Sequence, residues 1–233
     1  MKNKETNVLV VIPARGGSKG IPLKNLESIN GSTLTALAIR IAQKIPFNKT
    51  VLVSTDHKRI KEEALTNGAE VPFLRPESLS GDSISDYDVL IHSLVESEKF
   101  FQMNFEIIVM LQPTSPLREL KNITDCIDRL ISDNLDAVWT VSPCDLKYHP
   151  KKQLYLNNSN LELVDPNGKE IIARQQLNTT YIRNGVCYAF SRNCILNQKT
   201  IYGKKTGAVI IHNKNISIDT IEDLEKARSL AKK

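Results

Sequence analysis

The sequence has little that would place its 233 residues in a membrane, a disulfide framework or a nucleic-acid complex. No apolar run approaches the roughly 20 residues needed to span a bilayer, and the polar stretch Met1–Asn7 lacks the apolar core of a secretory signal. The four cysteines show neither a CxxC pair nor a ligand spacing with histidine, which indicates reduced thiols. The net charge of +5 is mild and lacks interleaved aromatic residues. We therefore expect a cytoplasmic protein with no nucleic-acid or membrane partner.

Two familiar phosphate-binding motifs are also absent. The sequence contains neither GxxxxGK[ST] nor GxGxxG, which disfavours a P-loop NTPase and a dinucleotide-dependent dehydrogenase. His92 and His149 stand without a second ligand at metal spacing, so we interpret both as structural residues.

Short apolar runs alternate with helical patterns along the chain. This pattern is typical of an α/β fold with a mostly parallel mixed sheet of about seven strands and helices on both faces. The predicted strands are Asn7–Pro13, Thr50–Ser54, Glu70–Leu74, Glu106–Leu111, Ala137–Val141, Val186–Phe190 and Ala208–His212. The predicted helices cover about 34–45, 57–67, 87–95 and 123–131, and a last helix begins at Thr220 with Asp223 completing a capping box.

Residues 142–180 differ in composition from the rest, being richer in Lys, Asn and Pro. They contain a predicted hairpin formed by Leu154–Leu156 and Leu161–Val164. We interpret this segment as a small projecting subregion of a single domain spanning 1–233, and not as a second domain.

The segment Pro13–Asn25, PARGGSKGIPLKN, follows the first predicted strand directly. Loops that leave the carboxyl ends of parallel strands are where such sheets bind ligands. Glycines in the segment allow a close backbone approach, and successive backbone N–H groups can form an anion nest. A glycine pair alone would equally fit a solvated turn. The added cations Arg15, Lys19 and Lys24 favour phosphate binding.

Polar residues also follow the central strand. Gln112 and Thr114 come directly after an apolar run, and Pro113 and Pro116 restrict the turn that presents them. We interpret the two side chains as ligand contacts, although Thr114 would also suit a helix cap. Arg174 has the planar fork that suits a carboxylate, while a surface arginine is the commoner case.

The segment PARGGSKGIPLKN resembles the opening signature of the acylneuraminate cytidylyltransferases, the CMP-sialic acid synthetases. Further motifs that resemble this family follow in the same order along the chain. They are STD at Ser54–Asp56, LRP at Leu74–Pro76, LQPTSPLR at Leu111–Arg118, ARQQL at Ala173–Leu177, NG at Asn184–Gly185 and SIDT at Ser217–Thr220. The resemblance thus runs from the first strand to the last helix, and it implies a Rossmann-like nucleotidyltransferase fold.

The resemblance also implies an activity. The family transfers the cytidylyl group of CTP to an acidic nine-carbon sugar of the sialic acid type, with Mg²⁺ or Mn²⁺ as cofactor and pyrophosphate as the leaving group. It implies a homodimer, made by the 142–180 subregion, which reaches toward the partner's site.

The resemblance assigns roles to individual residues. The residues implied to be catalytic are Arg15, Lys19 and Asp219, the last also holding the metal. Those implied to bind the nucleotide are Ala14, Arg15, Gly16, Gly17, Ser18, Lys19, Asn25, Arg75 and Asp82. Those implied to bind the sugar are Gln112, Thr114, Arg174, Gln175 and Asn184.

The sequence departs from the family pattern at two places. Ser217 replaces the first aspartate of the usual DID arrangement, which leaves Asp219 as the main carboxylate and makes Asp82 or Asp56 a further candidate ligand. Ile182 replaces an arginine that often lies two residues before the NG motif, and Arg183 stands one place later.

Two alternatives remain open from the sequence. One is a related nucleotidyltransferase with another base or sugar, such as an amino-sugar-phosphate guanylyltransferase. The other is a CTP-binding homologue that has lost catalysis. The sugar is equally open between N-acetylneuraminate and legionaminate types, although Tyr202–Gly207 (YGKKTG) resembles a stretch of some legionaminate-type members.

Overall fold

A six-stranded mixed sheet forms the centre of the computed structural model, which describes residues 6–213 and 215–231. In order across the sheet, the strands are β10 (Thr206–Ile210), β6 (Ala137–Pro143), β9 (Tyr181–Ser191), β5 (Ile107–Met110), β1 (Asn7–Pro13) and β4 (Asn48–Ser54). Strand β9 runs antiparallel to its neighbours, while the other five run in one direction. The polar start of the chain, up to residue 5, lies outside the described residues.

Helices cover both faces of this sheet, as the sequence predicts. Their bounds are α1 Leu34–Ala42, α2 Lys58–Thr66, α3 Asp86–Phe101, α4 Leu120–Ser132, α5 Arg192–Leu196 and α6 Ile221–Ala231. Alternate residues of β1 belong to two separate cores, because successive side chains of a strand point to opposite faces. One core packs against α1, α2 and α4, and the other against α3 and α5. A third apolar cluster joins α6 to the first part of α1.

The predicted strand Glu70–Leu74 is wrong. This segment forms a single bridge, between Glu70 and Leu52, with backbone hydrogen bonds from Glu70 N to Val51 O (2.8 Å) and from Val53 N to Glu70 O (3.0 Å). Pro72 has no N–H to donate, so the ladder cannot continue beyond it. The loss of this strand accounts for the difference between six strands and the expected seven.

Two short hairpins lie outside the main sheet. One is β2 (Ser28–Ile29) with β3 (Ser32–Thr33), and the other is β7 (Leu154–Asn157) with β8 (Asn160–Leu163), within about one residue of the hairpin predicted from the sequence. Most of the side chains of β7 and β8 are exposed.

The structure gives both histidines structural contacts. His149 is buried, and its Nδ1 accepts a hydrogen bond from Lys151 N at 3.1 Å. His92 packs edge-on against Phe73 with the ring centres 5.3 Å apart.

Helix ends follow the sequence signals closely. Gly68 has φ of +77° just past α2, the left-handed conformation that favours glycine. Thr220 and Asp223 form the predicted capping box at the start of α6, with Asp223 N donating to Thr220 Oγ1 and Thr220 N donating to Asp223 Oδ2.

All four cysteines are free thiols. Within the described ranges, no helix is both long and apolar enough to cross a membrane.

The topology brings several loops to one edge of the sheet. Strands β1, β4 and β5 are parallel, so their carboxyl ends meet at the same edge. Because β9 is antiparallel, it begins at this edge. The loops that follow the parallel strands and the first residues of β9 therefore surround one place.

Candidate active site

A cleft of about 560 Å³ lies at the carboxyl ends of β1 and β5. Four segments line it: the loop after β1, the loop before α3, the turn after β5 and the segment before α6. The described part of the chain contributes four cationic side chains to this lining, Arg15, Lys19, Lys24 and Arg75. The cleft can therefore receive a strongly anionic ligand.

The loop after β1 is held by hydrogen bonds on both sides. Gly16 N donates to Asp56 Oδ1 at 2.8 Å, beyond the end of β4. Asn25 is buried, and its side-chain Nδ2 donates to the backbone carbonyl of Arg15 at 2.9 Å. The backbone carbonyl of Asn25 accepts a hydrogen bond from Thr35 Oγ1 at 2.8 Å. The loop is therefore fixed in place by Asn25 and Asp56 before any ligand arrives.

Two glycines allow this loop to lie close to its surroundings. A Cβ on Gly16 would lie 2.8 Å from Cδ2 of His57, and a Cβ on Gly20 would clash with the carbonyl oxygen of Asp219. Gly17, in contrast, faces open space. The glycine content of the loop is therefore explained in part by packing against His57 and Asp219.

Carboxylates contact three of the four cations of the cleft. The Asp82 carboxylate contacts Arg15 Nη2 at 2.8 Å and Lys19 Nζ at 2.6 Å. The hydrogen bond from Lys19 is the main reason that the pKa of the Asp82 carboxyl lies below its usual range, and Arg15 adds to this effect. Lys24 Nζ contacts Asp219 Oδ1 at 2.9 Å and Ile218 O at 2.8 Å. A phosphate oxygen could take the place of each carboxylate oxygen, since both are charged acceptors of the same cations.

Arg75 is a buried cation at the back of the cleft. Its Nε donates to Ser54 Oγ at 3.1 Å and its Nη2 donates to Ser54 O, which anchors it to the end of β4. Burial lowers the pKa of its guanidinium to about 10, an effect that the charge of Asp56 opposes.

The turn after β5 places Gln112, Pro113 and Thr114 on the cleft. The carbonyl of Thr114 accepts from Ile218 N at 2.9 Å, which joins this turn to the segment that carries Ser217 and Asp219. Both of these side chains also line the cleft.

A side pocket of about 300 Å³ opens beside the cleft and shares Asp86, Gln112 and Ser217 with it. Its other wall is formed by five residues of β9, namely Ile182, Arg183, Asn184, Gly185 and Tyr188. Asn184 is fixed by Thr140 Oγ1, which donates to its Oδ1 at 2.6 Å, and by its own Nδ2, which donates to Ser142 Oγ at 3.0 Å. The region therefore has a cationic compartment and a mixed polar compartment that lie side by side and share three lining residues.

The comparison with known proteins decides the family. A family model described as "Cytidylyltransferase" matches residues 9–233. The chain belongs to the cytidylyltransferase family.

Individual relatives agree with this assignment. The cytidylyltransferase is 34% identical over 218 residues to CMP-N,N'-diacetyllegionaminic acid synthase of Legionella pneumophila, covering 91% of this chain and 90% of that protein. It is 29% identical to pseudaminic acid cytidylyltransferase of Campylobacter jejuni, covering 96% of each. The solved structure of CMP:2-keto-3-deoxy-manno-octonic acid synthetase in complex with CTP shares its fold, with a TM-score of 0.71 at 18% identity over 97% of this chain and 99% of that one. The family and the Rossmann-like α/β fold expected from the sequence are confirmed.

Several residues singled out in the sequence do not line the cleft of this cytidylyltransferase. Ala14 is fully buried under the loop, and Gly16 and Gly17 are outside the lining. Arg174 and Gln175 are exposed on a short 3₁₀ helix, Arg174–Gln176, within the 142–180 segment. Their contact with the sugar stays a prediction that requires a second chain.

Three residues of the site were missed in the sequence. Asp86 and Arg183 line the side pocket, and no motif assigned them a role. Arg118 is buried, and it donates from Nε to Val186 O at 2.9 Å and from Nη2 to the carbonyl of Gln112. Burial lowers its pKa to about 10. The signal for Arg118 was present, because it ends the LQPTSPLR motif.

The cleft offers a small set of donors for a metal ion. The described ranges contain no group of three or more His, Cys, Asp or Glu residues that would enclose an ion. Asp219, with its side chain 73% exposed, and the Ser217 hydroxyl offer hard oxygen ligands on the cleft. This donor set fits Mg²⁺, which is commonly held by one or two carboxylates together with water and substrate phosphates.

Proposed function

We propose that this cytidylyltransferase transfers CMP from CTP to the anomeric hydroxyl of a nonulosonic acid and releases pyrophosphate. The observation that carries the proposal is that a cation-lined cleft and a polar side pocket lie side by side and share three lining residues. Relatives named for legionaminic and pseudaminic acids support the sugar class.

The cationic loop would bind the triphosphate. Arg15 and Lys19 would exchange the Asp82 carboxylate for phosphate oxygens, an exchange made easy by the exposure of Lys19, whose side chain is 82% exposed. Lys19 would then face the charge that grows on the α-phosphate and on the leaving pyrophosphate. Transfer at phosphorus depends mainly on positioning and charge stabilisation, which agrees with a cleft rich in cations.

The sugar would lie between Gln112, Thr114 and Asn184, next to the side pocket. Its anomeric oxygen would form a bond to the α-phosphorus of CTP. On the opposite side of that phosphorus, the bond to the oxygen that bridges the α- and β-phosphates would break, and pyrophosphate would leave. The hydroxyl proton would leave to solvent. Arg118 would position Gln112 through the hydrogen bond to its carbonyl.

Asp219 would hold the divalent cation, Mg²⁺ or Mn²⁺, with Ser217 as a weaker neutral ligand. When bound, the cation would neutralise charge on the phosphates. Lys24 contacts Asp219 here and would turn toward a phosphate oxygen.

The 142–180 segment would form a homodimer. It exposes several large apolar side chains. They include Leu154, Leu156, Leu161, Val164 and Ile172, the last 93% exposed. Where exposed apolar side chains form a contiguous patch, they mark an interaction surface. The dimer would bring Arg174 and Gln175 toward the partner's cleft.

Pyrophosphate release tests the proposal directly. The pure protein is incubated with Mg²⁺, each of four nucleoside triphosphates, and either N-acetylneuraminate, N,N'-diacetyllegionaminic acid or an amino-sugar phosphate. We expect pyrophosphate release only when CTP and an acid sugar are both present. Release with GTP and a sugar phosphate would instead favour the guanylyltransferase alternative. CTP binding in a thermal shift assay without product from any sugar would favour the homologue that has lost catalysis.

A further inference from the structure

The side pocket contains a guanidinium whose orientation is set by an aromatic ring. The Arg183 guanidinium carbon lies 5.2 Å from the centre of the Trp139 ring. Trp139 is itself buried and packs against Tyr188 and Tyr202. A guanidinium stacked on a fixed ring loses little conformational entropy when it binds a planar anion.

An irregularity in β9 explains why Arg183 points here. Trp139 pairs with Tyr188, but Val141, two residues further along β6, pairs with Arg183, five residues back along β9. The extra residues of β9 form a bulge that includes Gly185, whose φ is +70°. A Cβ on Gly185 would lie 2.5 Å from Gln112 Oε1. Bulges commonly turn a side chain toward a site, and this one brings Arg183 and Asn184 beside Gln112.

Asp86 faces Arg183 from the first residue of α3. Burial raises the pKa of its carboxyl and the charge of Arg183 opposes this effect. Its carboxylate accepts no hydrogen bond from the groups that the structure describes. The helix cap is made by its neighbours Ser85 and Asp88, so capping does not account for Asp86.

The Arg183 guanidinium has hydrogen-bond donors without acceptors, and the Asp86 carboxylate has acceptors without donors, among the residues that the structure describes. Arg183 donates no hydrogen bond to an acceptor in the described residues and offers a fork for a carboxylate. Asp86 can only accept, so a ligand must bring it O–H or N–H donors. A half-buried carboxylate beside two anionic substrates would be unfavourable unless such donors were supplied.

We propose that Arg183 binds the carboxylate of the acid sugar and that Asp86 accepts hydrogen bonds from its hydroxyl or acylamino N–H groups. The inference rests on the proposed function and identifies the residues that select an acid sugar at that site. It assigns to Arg183 the role that the family resemblance gave to Arg174.

A comparison of substrates that differ in one group tests Arg183. The nonulosonic acid that supports turnover is compared with its C1 amide, in the wild type and in Arg183→Gln. A charge-assisted fork contributes about tenfold to hundredfold in affinity. We therefore expect the wild type to prefer the acid by at least tenfold in kcat/KM, and Arg183→Gln to lose this preference. The KM for CTP should change by less than about threefold.

Three further variants make the result specific. Arg183→Lys keeps the charge without the fork and should restore part of the preference. Arg59→Gln removes an exposed arginine of α2 outside the cleft and should behave as the wild type. Asp86→Asn should raise the KM for the sugar and leave the KM for CTP unchanged.

Fluorescence gives a readout without turnover. The chain contains one tryptophan, Trp139, so its emission reports on the ring under Arg183. Titration of the acid sugar with CTP present and divalent cations removed should change the emission of the wild type. The change should be absent in Arg183→Gln at the same sugar concentrations.

The outcomes separate this inference from the proposed function. Wild-type turnover with an undiminished acid preference in Arg183→Gln would overturn the inference alone, as would loss of that preference in Arg174→Gln instead. An Asp86→Asn variant that raises the KM for CTP and not for the sugar would overturn the role of Asp86. Failure of the wild type with every nonulosonic acid would overturn both proposals.

Discussion

At the scale of the residue, the ion pairs of the cleft mark the positions that we propose for phosphate oxygens. Asp82 alone contacts two of the cations, Arg15 and Lys19, within the described part of the site. The pairs are solvent-exposed and therefore contribute little to stability. The Asp82 carboxylate can therefore be replaced by a phosphate at small cost in free energy, which suits the proposed binding of a triphosphate.

Replacing Lys19 with alanine should lower activity without affecting the fold. Its side chain is 82% exposed, so removing it costs little packing. A charge aimed at the transition state contributes about 3 kcal/mol, or on the order of a hundredfold in kcat. Pyrophosphate release measures kcat and thermal unfolding measures stability. Lys121→Ala, an exposed lysine paired with Asp125 on α4, is the matched control. A Lys19→Ala variant with near-normal kcat would place Lys19 outside the site.

The metal requirement should depend on Asp219 and respond to Ser217. Asp219→Asn should raise the Mg²⁺ concentration needed for half-maximal activity sharply, because a neutral amide is a poor ligand for Mg²⁺. Ser217→Asp should lower this Mg²⁺ concentration. The side chains at positions 217 and 219 line the same cleft, and a second carboxylate there adds a charged ligand. Calorimetric titration of Mg²⁺ with CTP present, in the absence of sugar, checks binding apart from turnover. Parental Mg²⁺ affinity in both variants would show that the metal lies elsewhere.

At the scale of the element, the β7–β8 hairpin differs from the rest of the fold. The strands of the main sheet are buried by helices, whereas this hairpin stands apart with its apolar side chains exposed. A two-stranded sheet is marginally stable alone in water. A partner surface would supply the burial that the hairpin lacks.

Charge placed on this hairpin should therefore weaken a dimer. Leu156 and Leu161 face each other across the two strands, with exposures of 69% and 68%. Leu156→Asp with Leu161→Asp should shift the protein toward monomer and lower activity, while secondary structure is retained. Light scattering after size-exclusion chromatography measures the mass. Leu65→Asp, on the exposed face of α2, is the control. A wild type that is monomeric at all concentrations would contradict the proposed dimer.

At the scale of the whole molecule, the cleft depends on contacts between distant parts of the chain. The loop after β1 touches the segment before α6 at Gly20 and Asp219, and that segment is bonded in turn to Thr114 after β5. The cationic loop, the sugar-side turn and the candidate metal ligand are thus held in one arrangement.

Gly20→Ala should disturb this arrangement. The added Cβ would clash with the carbonyl oxygen of Asp219, and the shift needed to relieve the clash should lower the free energy of unfolding by about 1–3 kcal/mol. The same shift should move Asp219 and raise the Mg²⁺ requirement. Urea denaturation measures the first effect. Gly17→Ala, where the Cβ would meet open space, is the control for stability. Equal stability of the two variants would show that the loop adapts freely.

The sequence alone determined the family, most of the elements and the cationic loop. Buried strands such as β1 and β5 are visible as continuous apolar runs, and the caps of α2 and α6 are visible as Gly68 and the Thr220–Asp223 pair, because these signals are local. The one strand predicted wrongly, Glu70–Leu74, contains Pro72, whose effect on the ladder is also local and could have been recognised.

The tertiary structure decided which residues meet. Asp82 with Lys19 and Lys24 with Asp219 are joined across 63 and 195 positions of the chain, and no periodicity records such contacts. Arg183 and Asp86 come together through the bulge in β9 and the antiparallel direction of that strand. Arg174, which the family resemblance named, is exposed outside the cleft. The order of the strands sets these distances, and it arises from pairing between remote segments, which a single sequence does not display.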